Sequence, residues 1–197
     1  MSFSFFRPPG SEAIAAWAGS KGLPYQAAPE DAWYRAWEPF DTIAAPMRYY
    51  NAVAFTVDGG QGVLVEPWSA AEGDEPLGRT VLAFVTHPGL RLRAAARRGA
   101  SYLTRVAFLG SRPPREQKLG EPAWDDEAHV FAQTQEDARA AITPSLRKLL
   151  AGWSWTGHLE LRPGGLVLHV GDALPTPTDY QRVLRWMGPV VEKATKR

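Results

Sequence analysis

Residues 158–169 read His-Leu-Glu-Leu-Arg-Pro-Gly-Gly-Leu-Val-Leu-His, an alternation of leucine with polar residues interrupted by a Pro-Gly-Gly turn. Side chains alternate at period two along a strand, so this pattern specifies a β-hairpin. With the four residues Arg162 to Gly165 as the loop, Leu161 pairs with Leu166, Glu160 with Val167, Leu159 with Leu168 and His158 with His169. The four leucines then share a core face with Trp153 and Trp155. The opposite face carries His158, Glu160, Val167 and His169, the two imidazoles about 5 Å apart at Cβ. Two histidines and a carboxylate are a donor set for a divalent metal. The same alternation also describes the wet side of a half-buried hairpin.

A second hairpin is expected over residues 49–67. Val53, Phe55 and Val57 alternate, Asp58-Gly59-Gly60-Gln61-Gly62 supplies the turn, and Val63-Leu64-Val65 resumes the strand. Further strands are expected over 79–86, closed by His87-Pro88-Gly89, over 102–109 and over 128–133. Residues 90–99 fit two templates: Leu-Arg-Leu-Arg alternates like a strand, whereas Ala94-Ala95-Ala96-Arg97-Arg98 favours a helix.

Helix signals lie between these segments. Ser11 reads as an N-cap and Gly19 as a stop. A short aromatic helix containing Trp33 and Trp37 is expected from Pro29 to Phe40. Thr134 caps a helix from Gln135, and Thr143-Pro144 starts another with Leu146, Leu149 and Leu150 on one stripe. Thr178-Asp179-Tyr180-Gln181 fits a capping box before a last helix running at least to Gly188-Pro189.

Residues 70–78 read as an exposed loop, and the Pro- and Gly-bearing stretch 110–122 as the best linker. The expected fold is therefore α+β, antiparallel hairpins covered by short helices. It is laid out as a single domain over 1–197, or as halves 1–110 and 125–197 joined near 110–125. Glu30-Asp31-Ala32 and Glu136-Asp137-Ala138 precede the two hairpin turns at nearly equal spacing, which suits a duplicated helix-plus-hairpin unit.

The 197 residues include no cysteine, which excludes disulfide scaffolds, thiolate zinc fingers, iron–sulfur clusters and cysteine nucleophiles. No apolar run approaches the roughly 20 residues of a membrane span. The opening residues lack a basic leader and a long apolar region, so a cytoplasmic location is expected. Net charge is +1, yet residues 91–118 hold eight basic side chains against Glu116 alone. Arg91, Arg93, Arg97 and Arg98 are candidates to hold phosphate or an acidic partner. As a solvated face, they would instead pair with the acidic N-terminal half or with the Trp124-Asp125-Asp126-Glu127 turn, and the near-neutral chain does not favour nucleic acid. Most of the eight tryptophans are expected to fill the core, each indole N–H finding a buried acceptor. Trp68 and Trp124, beside prolines and carboxylates, are expected to be exposed binding aromatics.

Catalytic signatures are incomplete. Gly152-Trp153-Ser154-Trp155-Thr156-Gly157 approaches a nucleophile elbow, but its second glycine comes one residue late, and Ser154 reads as a strand residue. The Gly59-Gly60-Gln61-Gly62 turn lacks the lysine of a phosphate loop. His87 stands at a strand end in a turn, and His129 lies beside Asp125, Asp126 and Glu127.

The run from Trp33 to Phe40, the hairpin after it, and the C-terminal order of Leu-rich helix, Trp153-to-Val170 hairpin and final helix are together similar to soluble α+β domains in bacterial families of unknown function. That resemblance implies the fold class and a bacterial origin, and brings no catalytic residues with it. The leading expectation is a non-catalytic cytoplasmic protein, an interaction or assembly and regulatory module with a protein partner, no cofactor, and self-association left open. Two alternatives stand beside it. One is a metal-assisted hydrolase built on His158, Glu160 and His169, the other an anion- or phosphate-binding module built on the arginines from Arg91 to Arg98.

Overall fold

The computed structural model describes residues 6–29, 48–68, 78–99 and 114–196. All but Pro29 of the aromatic helix expected from Pro29 to Phe40, most of the 70–78 loop, the 102–109 strand and the first Glu-Asp-Ala echo lie outside them.

Within the described residues the hairpin alternation becomes one antiparallel sheet. Its nine strands are β1 (Tyr25–Gln26), β2 (Arg48–Val57), β3 (Gly60–Trp68), β4 (Val81–Thr86), β5 (Ala94–Arg98), β6 (Arg115–Gln117), β7 (Ala128–Ala132), β8 (Gly157–Arg162) and β9 (Gly165–Val170). Their order across the sheet is β1-β2-β3-β4-β9-β8-β5-β7-β6. Both expected hairpins form, and β8–β9 takes the expected register, with His158 opposite His169 and Leu161 opposite Leu166. The α+β expectation is met.

The helices are α1 (Ser11–Ser20), α2 (Pro122–Asp125), α3 (Gln135–Ala141), α4 (Pro144–Gly152) and α5 (Pro177–Thr195). Their buried residues, including Ile14, Trp124, Ala138, Leu146, Leu150, Tyr180, Val183 and Met187, join Leu159, Leu161, Leu166 and Leu168 in one core on one face of the sheet. Burying each such leucine contributes about 1.5–3 kcal/mol. Tyr49, Ala52, Val63, Val65, Leu82, Phe84 and Val167 make a separate buried cluster that contains no residue of these helices. Val63, Leu82, Phe84 and Val167 put it on the other face, because paired residues of neighbouring strands point the same way.

Caps follow local chemistry. Thr134 Oγ1 accepts from Asp137 N–H at 3.0 Å, and Thr143 Oγ1 from Leu146 N–H at 3.2 Å. Two caps fall elsewhere than expected. Gly10, at φ 85°, precedes α1, and Ser11 is its first helical residue, its Oγ bonding Pro8 C=O at 2.7 Å. The last helix is capped by Thr176, whose Oγ1 accepts from Asp179 N–H at 3.3 Å, because Pro177 fits a first helical position. Pro189 does not stop α5, since Tyr180, Val183, Met187, Val190 and Val191 bury one side of it along its length.

Residues 94–98 resolve to a strand. Ala94, Ala95 and Ala96 are buried between β7 and β8, which hydrogen-bond both edges, and α3 packs across with Ala138 and Ala141. Alanine's helix propensity amounts to only tenths of a kcal/mol per residue and loses to two sheet neighbours. Arg115–Gln117, inside the stretch that reads as a linker, is an edge strand on β7. Trp153–Thr156 precedes β8 instead of belonging to it: α4 runs through Gly152, and Ser154 turns the chain at φ 54°. The strand begins at Gly157, φ 135°, where a Cβ would stand 2.3 Å from the His169 carbonyl oxygen, so only glycine fits.

Candidate functional site

The expectation of a wet outer face on the last hairpin fails. Every residue of β8 and β9 is buried, including His158 (1% exposed), Glu160 (0%) and His169 (1%). Within the sheet, β4 pairs with one edge of this hairpin and β5 with the other. Register then assembles what chain order does not show. His129 pairs with Arg97, Arg97 with His158, and His158 with His169, so four basic side chains form one transverse row across β7, β5, β8 and β9. Exposure falls along it, from the His129 side chain at 58% to the two buried imidazoles.

Each imidazole in the row is differently engaged. His129 Nδ1 lies 2.9 Å from Glu116 Oε1 on the edge strand, a partner other than its chain neighbours Asp125–Glu127. Asp125 instead caps the backbone, accepting from the N–H groups of Leu119, Gly120 and Glu121. His158 Nε2 is 3.3 Å from Glu160 Oε2, while Arg162 donates to Glu160 Oε1 from Nε at 2.9 Å and Nη2 at 2.8 Å. His169 Nε2 shares a 2.9 Å hydrogen bond with Thr80 Oγ1. Burial first, and then His158 beside it, push the His169 pKa down to about 4, so the ring is neutral at pH 7.

The metal set of His158, Glu160 and His169 does not gather. The Glu160 oxygens face Arg162 and His158, His169 turns to Thr80, and among the described residues no three His, Asp or Glu side chains are grouped to hold a metal.

The arginine cluster is split by strand alternation. Arg91 and Arg93 are exposed ahead of β5. Arg98 projects toward Glu127, with Nε 3.0 Å from Oε2, as the charge blocks suggested. Arg97, one residue away, points to the other face, with its guanidinium 5.8 Å from the Phe131 ring.

Trp68 and Trp124 are not exposed. They are 1% and 5% accessible, Trp68 packing edge-on against Tyr50 and Phe6 and Trp124 sitting in the helical core. Neither indole N–H finds an acceptor, whereas that of Trp155 donates to His169 C=O at 3.0 Å. Trp153 stacks on Trp186, ring centroids 5.0 Å apart.

Sequence reasoning missed a polar hub in β2. Asn51 sits at φ 53°, where the β2–β3 register shifts. Its Oδ1 accepts from Tyr25 OH at 2.8 Å, its Nδ2 donates to buried Glu66 at 2.7 Å, and its carbonyl accepts from Tyr180 OH at 2.9 Å. Arg79 Nε closes on Glu66 at 2.6 Å. Burial raises the Glu66 pKa, against the pull of Arg79 and Asn51. The available signal was an asparagine amid strand formers, where that residue is disfavoured.

Two clefts meet at His87, at the sheet end that carries the β2–β3 and β8–β9 turns. One, of about 530 Å³, is walled by Gly59, Gly60, Gln61, Thr86, Pro88 and Gly164. The other, of about 430 Å³, runs between the β2–β3 turn and the C-terminal end of α5 at Pro189, Val191, Glu192 and Lys196. Gly89 N–H donates to His87 Nδ1 at 2.9 Å, which leaves the proton on Nε2 to donate to Asp58 C=O at 2.8 Å.

The fold thus defines an α+β protein with a helix-covered antiparallel sheet and a transverse basic row on its second face, buried at its β8–β9 end. A solved structure of this architecture is the mycobacterial trehalose monomycolate transport factor A, TtfA. It shares 12% identity at a TM-score of 0.61, over 94% of this chain and 96% of that one, a likeness of fold. No protein-family model and no curated protein matches the chain.

Proposed function

We propose that this chain is a non-catalytic interaction module that receives a partner segment in the clefts beside His87. The observation that carries the reading is the state of that ring. It lines both clefts, yet its two nitrogens are taken by Gly89 N–H and Asp58 C=O, so it has neither a free lone pair nor a free N–H for a substrate. It acts instead as a clamp joining the β2–β3 turn to the β4–β5 connection. The mycobacterial fold neighbour is named a transport factor, and an accessory role of that kind is the one we propose here. A single domain, supported by the pairing of β4 with β9, and a cytoplasmic location belong to the same reading. No helix of the described residues is long and apolar enough to cross a membrane.

The test places a photo-crosslinking residue at Gln61 or Lys196, in the clefts, and at Lys148 on α4 as a control, in the native host. A defined crosslinked species from both cleft positions and not from the control supports the reading. A hydrolytic or transfer activity of the purified chain that disappears in His87→Ala overturns it.

A further inference from the structure

The transverse row leaves one charge unanswered. Glu160 is matched by Arg162 and Arg98 by Glu127, but among the described residues Arg97 has no ion-pair partner, only the Phe131 ring. Its Nε and Nη2 are shielded from solvent and hydrogen-bonded to nothing, and burial lowers its proton affinity. Directly opposite in the β5–β8 register, His158 is 1% exposed, and its Nδ1 also has no partner. Three shielded, unsatisfied nitrogens on adjacent side chains are costly, and native folds rarely keep such groups without a purpose.

We propose that Arg97 and His158 form a binding site for one protonated oxyanion of the phosphate type. Oxygens of the group accept from Nε and Nη2 of Arg97, the side-on fork that matches a tetrahedral oxyanion. Its P–OH donates to His158 Nδ1. The second bond uses the ring nitrogen that the neighbours leave open: His158 Nε2 faces the Glu160 carboxylate, which also accepts from Arg162, and with the ring proton on Nε2 the lone pair lies at Nδ1. A carboxylate ligand has no proton to give there and would set lone pair against lone pair. A single negative charge neutralises the Arg97 guanidinium, and the row becomes solvent-accessible at its β7 end, at His129. This site is independent of the partner reading, because it is measured on the isolated chain with a small ion.

The experiment titrates inorganic phosphate against sodium chloride and sodium acetate at equal ionic strength and pH 7, following the thermal midpoint and the heat of binding. Native chain, Arg97→Met and Arg91→Met are compared. Arg97→Met removes the unsatisfied donors and keeps an apolar stem against Phe131, so it is expected to fold, as circular dichroism will verify. Exchange broadening of the phosphate ³¹P resonance by the native chain, reversed by excess phosphate, gives a second readout that needs no variant. The expected result is a saturable phosphate response in the native chain and Arg91→Met, weakened at least ten-fold in Arg97→Met, with acetate no better than chloride. The proposal is overturned if phosphate stabilises Arg97→Met as much as the native chain, which is what general solute exclusion would do. An acetate response equal to that of phosphate, or no phosphate response beyond chloride together with an unbroadened ³¹P line, overturns it as well.

Discussion

Acidification should unfold this protein partly through one buried ring. In an unfolded chain His169 takes its proton near pH 6.5, whereas in the fold burial and His158 hold the pKa down to about 4. Below pH 6.5 the unfolded state therefore binds a proton that the native state refuses, and stability drains away until the folded ring also titrates. Each pH step is worth about 1.4 kcal/mol, so the whole window costs about 3 kcal/mol, while above pH 6.5 the contribution is complete and flat. That is a large share of the ~5–15 kcal/mol that holds a typical domain together. The assay is urea denaturation at pH 7, 6, 5 and 4 on the native chain and on His169→Gln, whose amide can still meet Thr80 Oγ1. Carboxylate titration is common to both proteins and cancels in the difference. The native chain should lose about 3 kcal/mol more than the variant between pH 7 and pH 4. Parallel curves would refute the claim that His169 is held neutral by its surroundings.

Three further outcomes follow from the geometry. Gly157→Ala drives a Cβ to 2.3 Å from a backbone oxygen of the paired strand and should destabilise by on the order of 3 kcal/mol in urea unfolding, with the β8–β9 amides losing hydrogen-exchange protection first. Asn51→Ala takes one hydrogen-bond partner from Tyr25 and one from buried Glu66 and should cost about 3 kcal/mol, whereas Asn51→Gly, which relieves the φ of 53°, should cost about 1 kcal/mol less. Thr143→Ala removes the α4 cap and should lower stability by about 1 kcal/mol with no change in the denaturant slope.

The amino-acid order alone determined features whose causes lie within a few residues. The β8–β9 register followed from where leucine alternation breaks at Pro163-Gly164, and the Thr134 and Thr143 caps from a hydroxyl three residues before the amide it meets. Tertiary structure decided everything that depends on which strand lies beside which. The Ala94–Arg98 run became a strand because β7 and β8 flank it, and the outer side of the last hairpin is buried although its alternation alone describes a solvent-facing one. Arg97 lies 61 residues from His158 in the chain, and only sheet order sets them opposite each other. Side-chain alternation acts over two residues and can be read from one segment at a time, whereas strand neighbours are chosen by the burial of the whole core, a sum that no single segment contains.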